Sequence, residues 1–190
     1  MKDLLIAAER GIIRDPDMLA ELLAGQGEAH TALLAAADRV RREHVGDGVH
    51  LRGIVEFSNR CRRNCLYCGI RASNPHVQRY RMLPEEIVET AIRASHLGFG
   101  TIVLQSGEGD ALDPSELAWV VTEIRARTPL AITLSVGERS REDYALWRRA
   151  GADRFLLRHE TSDPDLFARL RPGCRLEDRL QCLAWLRELG

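Results

Sequence analysis

Residues 51–69 have the sequence LRGIVEFSNRCRRNCLYCG, and this stretch decides both the fold and the chemistry of the chain. Its first part, residues 51–57, is short, largely apolar and bounded by polar residues, which predicts a β-strand. Cys61, Cys65 and Cys68 then follow within eight residues. We therefore expect a strand that leads directly into a cysteine-rich loop.

The spacing of these cysteines is C-x3-C-x2-C, and two further cysteines, Cys174 and Cys182, stand alone. Five cysteines placed at random in such a chain would give this triplet about 0.003 times. A secreted disulfide framework would instead spread an even number of cysteines along a short chain. The triplet therefore indicates a metal site in a reducing compartment, whereas Cys182, on an apolar stripe, is predicted to be a core thiol.

Downstream of the loop, predicted helices and strands alternate with a period of about 30 residues, which is the length of a βαβ unit. The strands are short and apolar, as in sheets that are buried on both faces. Helices are predicted at 84–97, 114–127, 141–150 and 176–189, and strands at 101–105, 130–135 and 154–157.

About four βα units predict an α/β fold, a partial TIM-type (βα) barrel with an N-terminal helical extension. A complete barrel takes about 250 residues. Residues 49–190 hold about half of one, so we expect a truncated half barrel whose apolar strand edge makes the isolated chain associate or aggregate. A complete small α/β domain is the alternative. Residues 1–48 form the helical extension, in which Asp15-Pro16 marks a helix start.

The overall composition excludes several classes of protein. The chain has 190 residues, of which 45% are hydrophobic and 29% charged, and its net charge is −1. Nucleic acids and anionic membranes both favour a basic excess, which is missing here. No apolar run approaches the roughly 18 residues of a membrane span, and Asp3 and Glu9 fit neither a signal nor a transit peptide. We expect a cytoplasmic protein with neither nucleic acid nor membrane as partner.

The cysteine loop predicts an iron–sulfur cluster with one open position. Three thiolates can bind one face of a cubane cluster and leave the fourth iron without a protein ligand. An open position distinguishes a reactive metal centre from a structural one. The loop also leaves the carboxyl end of a strand, which is the catalytic face of a parallel barrel. The alternative is structural zinc with His76 or a distant histidine as fourth ligand, although such sites usually show paired C-x2-C knuckles.

Tyr67, the aromatic residue before Cys68, completes a known signature. C-x3-C-x2-C with that aromatic residue resembles the loop of radical SAM enzymes. The resemblance implies two cofactors, a [4Fe-4S] cluster and S-adenosylmethionine (SAM), and reductive cleavage of SAM to a 5′-deoxyadenosyl radical. In such enzymes the cofactor carries the difficult step, and the protein orients it and excludes water.

Further motifs resemble the HydE family of [FeFe]-hydrogenase maturases. This resemblance implies an enzyme of H-cluster assembly, with an organometallic iron–cysteine substrate and with other hydrogenase maturases and an electron donor as partners. Methylornithine synthase and other biotin-synthase-like enzymes are the alternatives, as is an inactive truncated metal-binding fragment. The motifs are 54–59, 65–71, 79–82, 105–108, 133–138 and 157–161.

Ser106, Gly107 and Glu108 follow the second strand, where a barrel places reactive groups. The resemblance implies that they meet the SAM ammonium. A carboxylate or backbone carbonyls suit an ammonium, and Gly107 permits a close approach of the backbone. An ordinary strand-to-helix turn is the alternative.

Thr133 and Ser135 lie two residues apart on the third strand and so point to one side of it. The resemblance implies that their hydroxyls contact substrate. Hydroxyls that are satisfied within the sheet are the alternative, and Glu138 just beyond them is equally consistent with a cap of the next helix.

Arg158 and Glu160 follow the fourth strand, and charges at a strand end are costly unless they are paired or hydrated. The resemblance implies that Arg158 binds a carboxylate and Glu160 the ribose or amino acid part of SAM. It also implies that Arg179 binds the SAM carboxylate, and Tyr67 belongs to the same predicted SAM site. A surface ion pair and an unremarkable helix charge are the alternatives, and His159 is predicted to be structural. No catalytic side chain is predicted beyond the cluster.

Overall fold

The computed structural model describes residues 2–190, which form two compact units that divide between His50 and Leu51. The first unit is helical, as the sequence predicts, and the side chain of Asp15 caps its second helix by accepting a hydrogen bond from the Asp17 amide. A small core of Leu4, Ile13 and Leu22 holds the unit together. Its helices are α1 (Lys2–Glu9), α2 (Pro16–Ala24) and α3 (Glu28–Val45).

The second unit contains a parallel sheet of four strands in the order β1-β2-β3-β4, which confirms the predicted α/β fold with four βα units. Each crossover between neighbouring strands includes a helix, as parallel pairing requires. The strands are β1 (Arg52–Ser58), β2 (Thr101–Ser106), β3 (Ala131–Ser135) and β4 (Arg154–Phe155). The helices are α4 (Pro84–His96), α5 (Pro114–Arg127), α6 (Arg141–Ala150), α7 (Pro164–Leu170) and α8 (Leu176–Leu189).

Strand β4 is two residues shorter than predicted. Phe155 pairs with Leu134 of β3, and the Leu156 amide still donates to the Leu134 carbonyl at 2.8 Å. Because β3 itself ends at Ser135, residues beyond 156 have no strand beside them. The segment that carries Arg158 is therefore a loop at the end of the sheet.

The two faces of the sheet differ in burial. Ile102, Leu104, Ile132 and Leu134 alternate along β2 and β3 and are at most 1% exposed, because they belong to the core shared with α4, α5 and α6. The other face is unevenly covered: Ile54 on β1 is 60% exposed, whereas its neighbours Val103 and Thr133 are buried. The helices thus pack on one side of the sheet, and loops follow the carboxyl ends of its strands.

Candidate functional site

The cysteine loop, residues 59–79, begins at an irregular end of β1. The register with β2 shifts there, between Glu56 and Ser58. The loop is then tied to distant parts of the chain by backbone hydrogen bonds. The Arg62 amide donates to the Glu108 carbonyl beyond β2 at 2.7 Å, and the Leu66 amide donates to the Leu170 carbonyl at the end of α7 at 2.9 Å. These bonds fix both the first and the middle part of the loop.

Arg79 closes the loop from its other end. Its guanidinium donates to the carbonyls of Asn59, Ile70 and Arg71 at 2.6, 2.8 and 2.7 Å. One side chain therefore satisfies three carbonyls that the irregular backbone would otherwise leave without partners. The sequence includes Arg79 in a motif of the HydE resemblance but gives no sign of this role.

One cavity of about 260 Å³ brings most of the predicted site together at the carboxyl ends of the strands. Thr133 is buried and does not line it, whereas Ser135, two residues on, does. A separate apolar cavity of about 300 Å³ beside Trp147 and Phe155 contains none of the predicted site residues. The predicted residues that line the first cavity are Cys61, Cys65, Tyr67, Cys68, Ser106, Gly107, Glu108, Ser135, Arg158, Glu160 and Arg179.

Two glycines at strand ends allow close packing around this cavity. A Cβ at Gly107 would lie 2.3 Å from the Arg60 carbonyl oxygen, so the end of β2 lies against the cysteine loop. Gly137 has φ +78°, and a Cβ there would lie 2.5 Å from Cγ of Glu108. The backbone at Gly107 thus lies close to the cysteine loop. The approach of Gly107 to the SAM ammonium stays a prediction.

A buried ion cluster lies at the cavity: the buried side chains of Glu108, Glu138, Arg171 and Arg179 join Arg63, which is half-buried. Arg63 donates through Nε to Glu108 and through Nη2 to Glu138, the latter at 2.9 Å. Arg179 Nε donates to Glu138 at 2.7 Å, and the guanidinium of Arg171 lies 3.6 Å from both carboxylates. Burial makes each of these charges depend on its partners.

Glu138 lies at the centre of this ion cluster and is not a helix cap. Ser140 caps α6 instead, by accepting from the Asp143 amide at 3.1 Å. Burial, and then the neighbouring carboxylate of Glu108, raise the pKa of Glu138 above its ordinary value, while Arg171 and Arg63 oppose the shift. Glu138 therefore holds arginines that come from three separate segments.

Arg179 is 3% exposed, so it is not an ordinary surface charge of α8. Besides its bond to Glu138 it donates to the Arg158 carbonyl, and it lies 6.0 Å from the ring centre of Phe167. The carbonyl of Arg158 is thereby fixed, and Glu160 follows with a left-handed backbone, φ +71°. The loop after β4 is thus bonded to α8 at the Arg158 carbonyl.

The cavity carries the donor set of a cubane cluster, because three cysteines line it. In such a cluster each thiolate binds a different iron. His76, the proposed zinc ligand, is exposed and does not line the cavity. Three cysteines around one cavity therefore fit a [4Fe-4S] cluster with an open iron.

The class of protein follows from the parallel half barrel and the cysteine loop at its carboxyl edge. The model of the radical SAM superfamily matches residues 55–190, and the chain belongs to that superfamily. Members of the family use a [4Fe-4S] cluster and SAM, which are the two predicted cofactors. Among the described helices, none combines the length and the apolar run that a membrane crossing requires.

Individual proteins that resemble the chain give a more specific comparison than the superfamily does. The chain is 55% identical to the [FeFe] hydrogenase maturase subunit HydE of Thermotoga maritima over 84% of this chain and 45% of that protein. It is 29% identical to the 3-methylornithine synthase of Methanosarcina acetivorans over 94% of this chain and 51% of that protein. The crystal structure of methylornithine synthase (PylB) superposes with TM-score 0.87 at 28% identity, over 98% of this chain and 56% of that one. The chain spans about half the length of the curated relatives it matches.

Proposed function

We propose that this chain carries the cluster-binding part of a HydE-type radical SAM enzyme that acts in [FeFe]-hydrogenase maturation. The observation that supports this most is the cavity in which three cysteines meet eight residues predicted from the HydE and radical SAM resemblance. The identity of 55% with the Thermotoga protein points to the same function. When bound and reduced, the cluster supplies the electron that cleaves SAM.

The side chains of this chain would hold the reactants. Cys61, Cys65 and Cys68 would bind three irons and leave the fourth for the amino and carboxylate groups of SAM. Because the Glu108 carboxylate is buried and bonded to Arg63, we expect backbone carbonyls at the end of β2, rather than that carboxylate, to accept from the SAM ammonium.

The remaining contacts would come from the strand ends. Tyr67 lines the cavity from the cysteine loop, and Arg158 and Glu160 line it from the loop after β4. We propose that these residues orient the ribose and the carboxylate of SAM. Ser135, which lines the cavity, would contact substrate, and the same role for Thr133 remains a prediction from the resemblance.

The proposed substrate is a small organometallic molecule of H-cluster assembly, and the proposed partners are an electron donor and other hydrogenase maturases. A HydE-type role also favours a cytoplasmic location, where free cysteines stay reduced. We propose residues 49–190 as the radical SAM core and residues 1–48 as a helical extension.

The first experiment is anaerobic reconstitution of the chain with iron and sulfide, followed by reduction with dithionite in the presence of SAM. We expect about four irons and four sulfides per chain, the content of a [4Fe-4S] cluster. We also expect 5′-deoxyadenosine and methionine as products by chromatography, and neither product with Cys61→Ala. Zinc without sulfide would contradict the proposal and favour a structural metal-binding module.

A second experiment separates the two candidate enzymes. The 29% identity to 3-methylornithine synthase and the close structural match to PylB make that enzyme the competing candidate. We expect the gene to restore hydrogen evolution in a strain that lacks its own HydE. Restored formation of 3-methylornithine in a strain that lacks that synthase, without restored hydrogen evolution, would contradict the HydE assignment.

A further inference from the structure

Arg171 lies beside the cysteines although no sequence pattern marks it as a site residue. It follows α7 directly, is 3% exposed and lines the same cavity as Cys61, Cys65 and Cys68. The preceding residue fixes its position, because the Leu170 carbonyl accepts from the Leu66 amide at 2.9 Å. The end of α7 is thus bonded to the part of the cysteine loop that contains Cys65.

The Nε–H of Arg171 lacks an acceptor, whereas those of the other two arginines in the buried ion cluster each have one. Nε of Arg63 donates to Glu108, and Nε of Arg179 donates to Glu138. Among residues 2–190, Nε of Arg171 is the buried side-chain nitrogen or oxygen that has no hydrogen-bond partner. A buried donor without an acceptor is destabilising, so a bound group is expected to supply the acceptor.

The surroundings of Arg171 favour sulfur as that acceptor. Its Nη1 and Nη2 atoms lie 3.6 Å from Glu138 and Glu108, which places the two carboxylates at the outer end of the guanidinium. Arg171 lines the same cavity as Cys65 and Tyr67, and the backbone bond from Leu66 to Leu170 joins the end of α7 to the residue between these two. The side chain therefore links the buried carboxylates to the cysteine loop.

We propose that Arg171 is a positioning residue for the iron–sulfur cluster, and that its Nε–H donates to sulfur on the Cys65 side of that cluster. This inference rests on the proposed function, since it needs a cluster at the three cysteines. A hydrogen bond to sulfur and a fixed positive charge both favour the reduced, more negative state of the cluster. Arg171 therefore raises the reduction potential.

The test is a redox titration of the reconstituted chain without SAM, followed by electron paramagnetic resonance. For Arg171→Met we expect the ratio of reduced to oxidised cluster at a fixed potential to fall about tenfold, which corresponds to a midpoint about 59 mV more negative for one electron. Arg171→Lys keeps the charge but loses the planar donor, so its midpoint should lie between those of the Met variant and the unsubstituted chain.

The matched control is Arg169→Met, an exposed arginine two residues earlier at the end of α7, which should leave the midpoint unchanged. Equal midpoints for Arg171→Met and the control would overturn the inference while leaving the proposed function standing. Loss of iron from both the Met and the Lys variant would indicate a merely structural role and would also overturn it. A chain that binds no iron and sulfide would overturn the proposed function and this inference together.

Discussion

The helix-facing side of the sheet and the buried ion cluster at its carboxyl edge are both buried, but they are built in opposite ways. Ile102, Leu104, Ile132 and Leu134 are apolar, and they alternate along two strands. The ion cluster takes its five charged residues from the cysteine loop, the ends of β2 and β3, the end of α7, and α8. The difference shows that the apolar core follows from local sequence patterns. The site, in contrast, depends on charged residues that are far apart in the sequence.

The largest expected effect is at the cysteines themselves. Cys65→Ser removes one of three thiolates, and a cluster held by two thiolates has lost a protein ligand to one of its irons. We expect iron and sulfide to fall to background levels after anaerobic reconstitution. Cys182→Ser is the matched control, because Cys182 is buried beside the Arg139 carbonyl and away from the cavity. Iron loss from both variants alike would contradict a specific role of the triplet.

The second-largest effect is a loss of stability on substitution in the buried ion cluster. Glu138→Ala leaves Arg179 without its carboxylate partner and deprives Arg63 of one of its two. Removing one partner of a buried ion pair costs about 3–5 kcal/mol of unfolding free energy. Urea denaturation measures the loss. A loss of unfolding free energy smaller than that expected for an exposed ion pair would contradict this prediction. It would show that the arginines bind other partners or water in the variant.

A smaller loss of stability is expected from a substitution in the apolar core of the sheet. Ile132→Val deletes one methyl group from a side chain that is 0% exposed, and such a change costs about 0.5–1.5 kcal/mol. The same denaturation experiment measures it, and reconstituted iron content should stay at the unsubstituted level. A lowered iron content would show that the apolar layer and the site are coupled more tightly than proposed here.

The smallest effect belongs to a charge pair outside both regions. Arg127 on α5 and Glu89 on α4 form an exposed ion pair at 2.8 Å. Exposed pairs contribute about 0–1 kcal/mol, so Arg127→Ala should move the unfolding midpoint only slightly. A loss as large as that of Glu138→Ala would remove the distinction between buried and exposed charges.

Most of the fold was predictable from the sequence because its signals are local. The starts of α5 and α6 carry capping residues next to their first turns, and their predicted bounds agree with the structure. The short strands are apolar runs between polar residues. Strand β4 was predicted two residues too long, since its end depends on where β3 stops rather than on its own sequence.

The site was predictable where a motif or a resemblance marked it, and not elsewhere. Arg171 stands in an ordinary helix-end sequence, and its importance follows from a backbone contact between Leu170 and Leu66, about a hundred positions apart. Glu138 showed two possible roles, and only the structure shows that Ser140 is the cap of α6 and that Glu138 binds Arg63 and Arg179. Pairings at such separations leave no periodic trace in a single sequence.

The most direct test of the central claim is the electron paramagnetic resonance spectrum of the reduced, reconstituted chain before and after addition of SAM. The claim is that the three cysteines hold a [4Fe-4S] cluster whose fourth iron is open to SAM. It predicts a cubane signal whose shape changes when SAM binds, and no such signal from Cys65→Ser. A cluster signal that SAM leaves unchanged, or a chain that holds zinc and no sulfide, would contradict it.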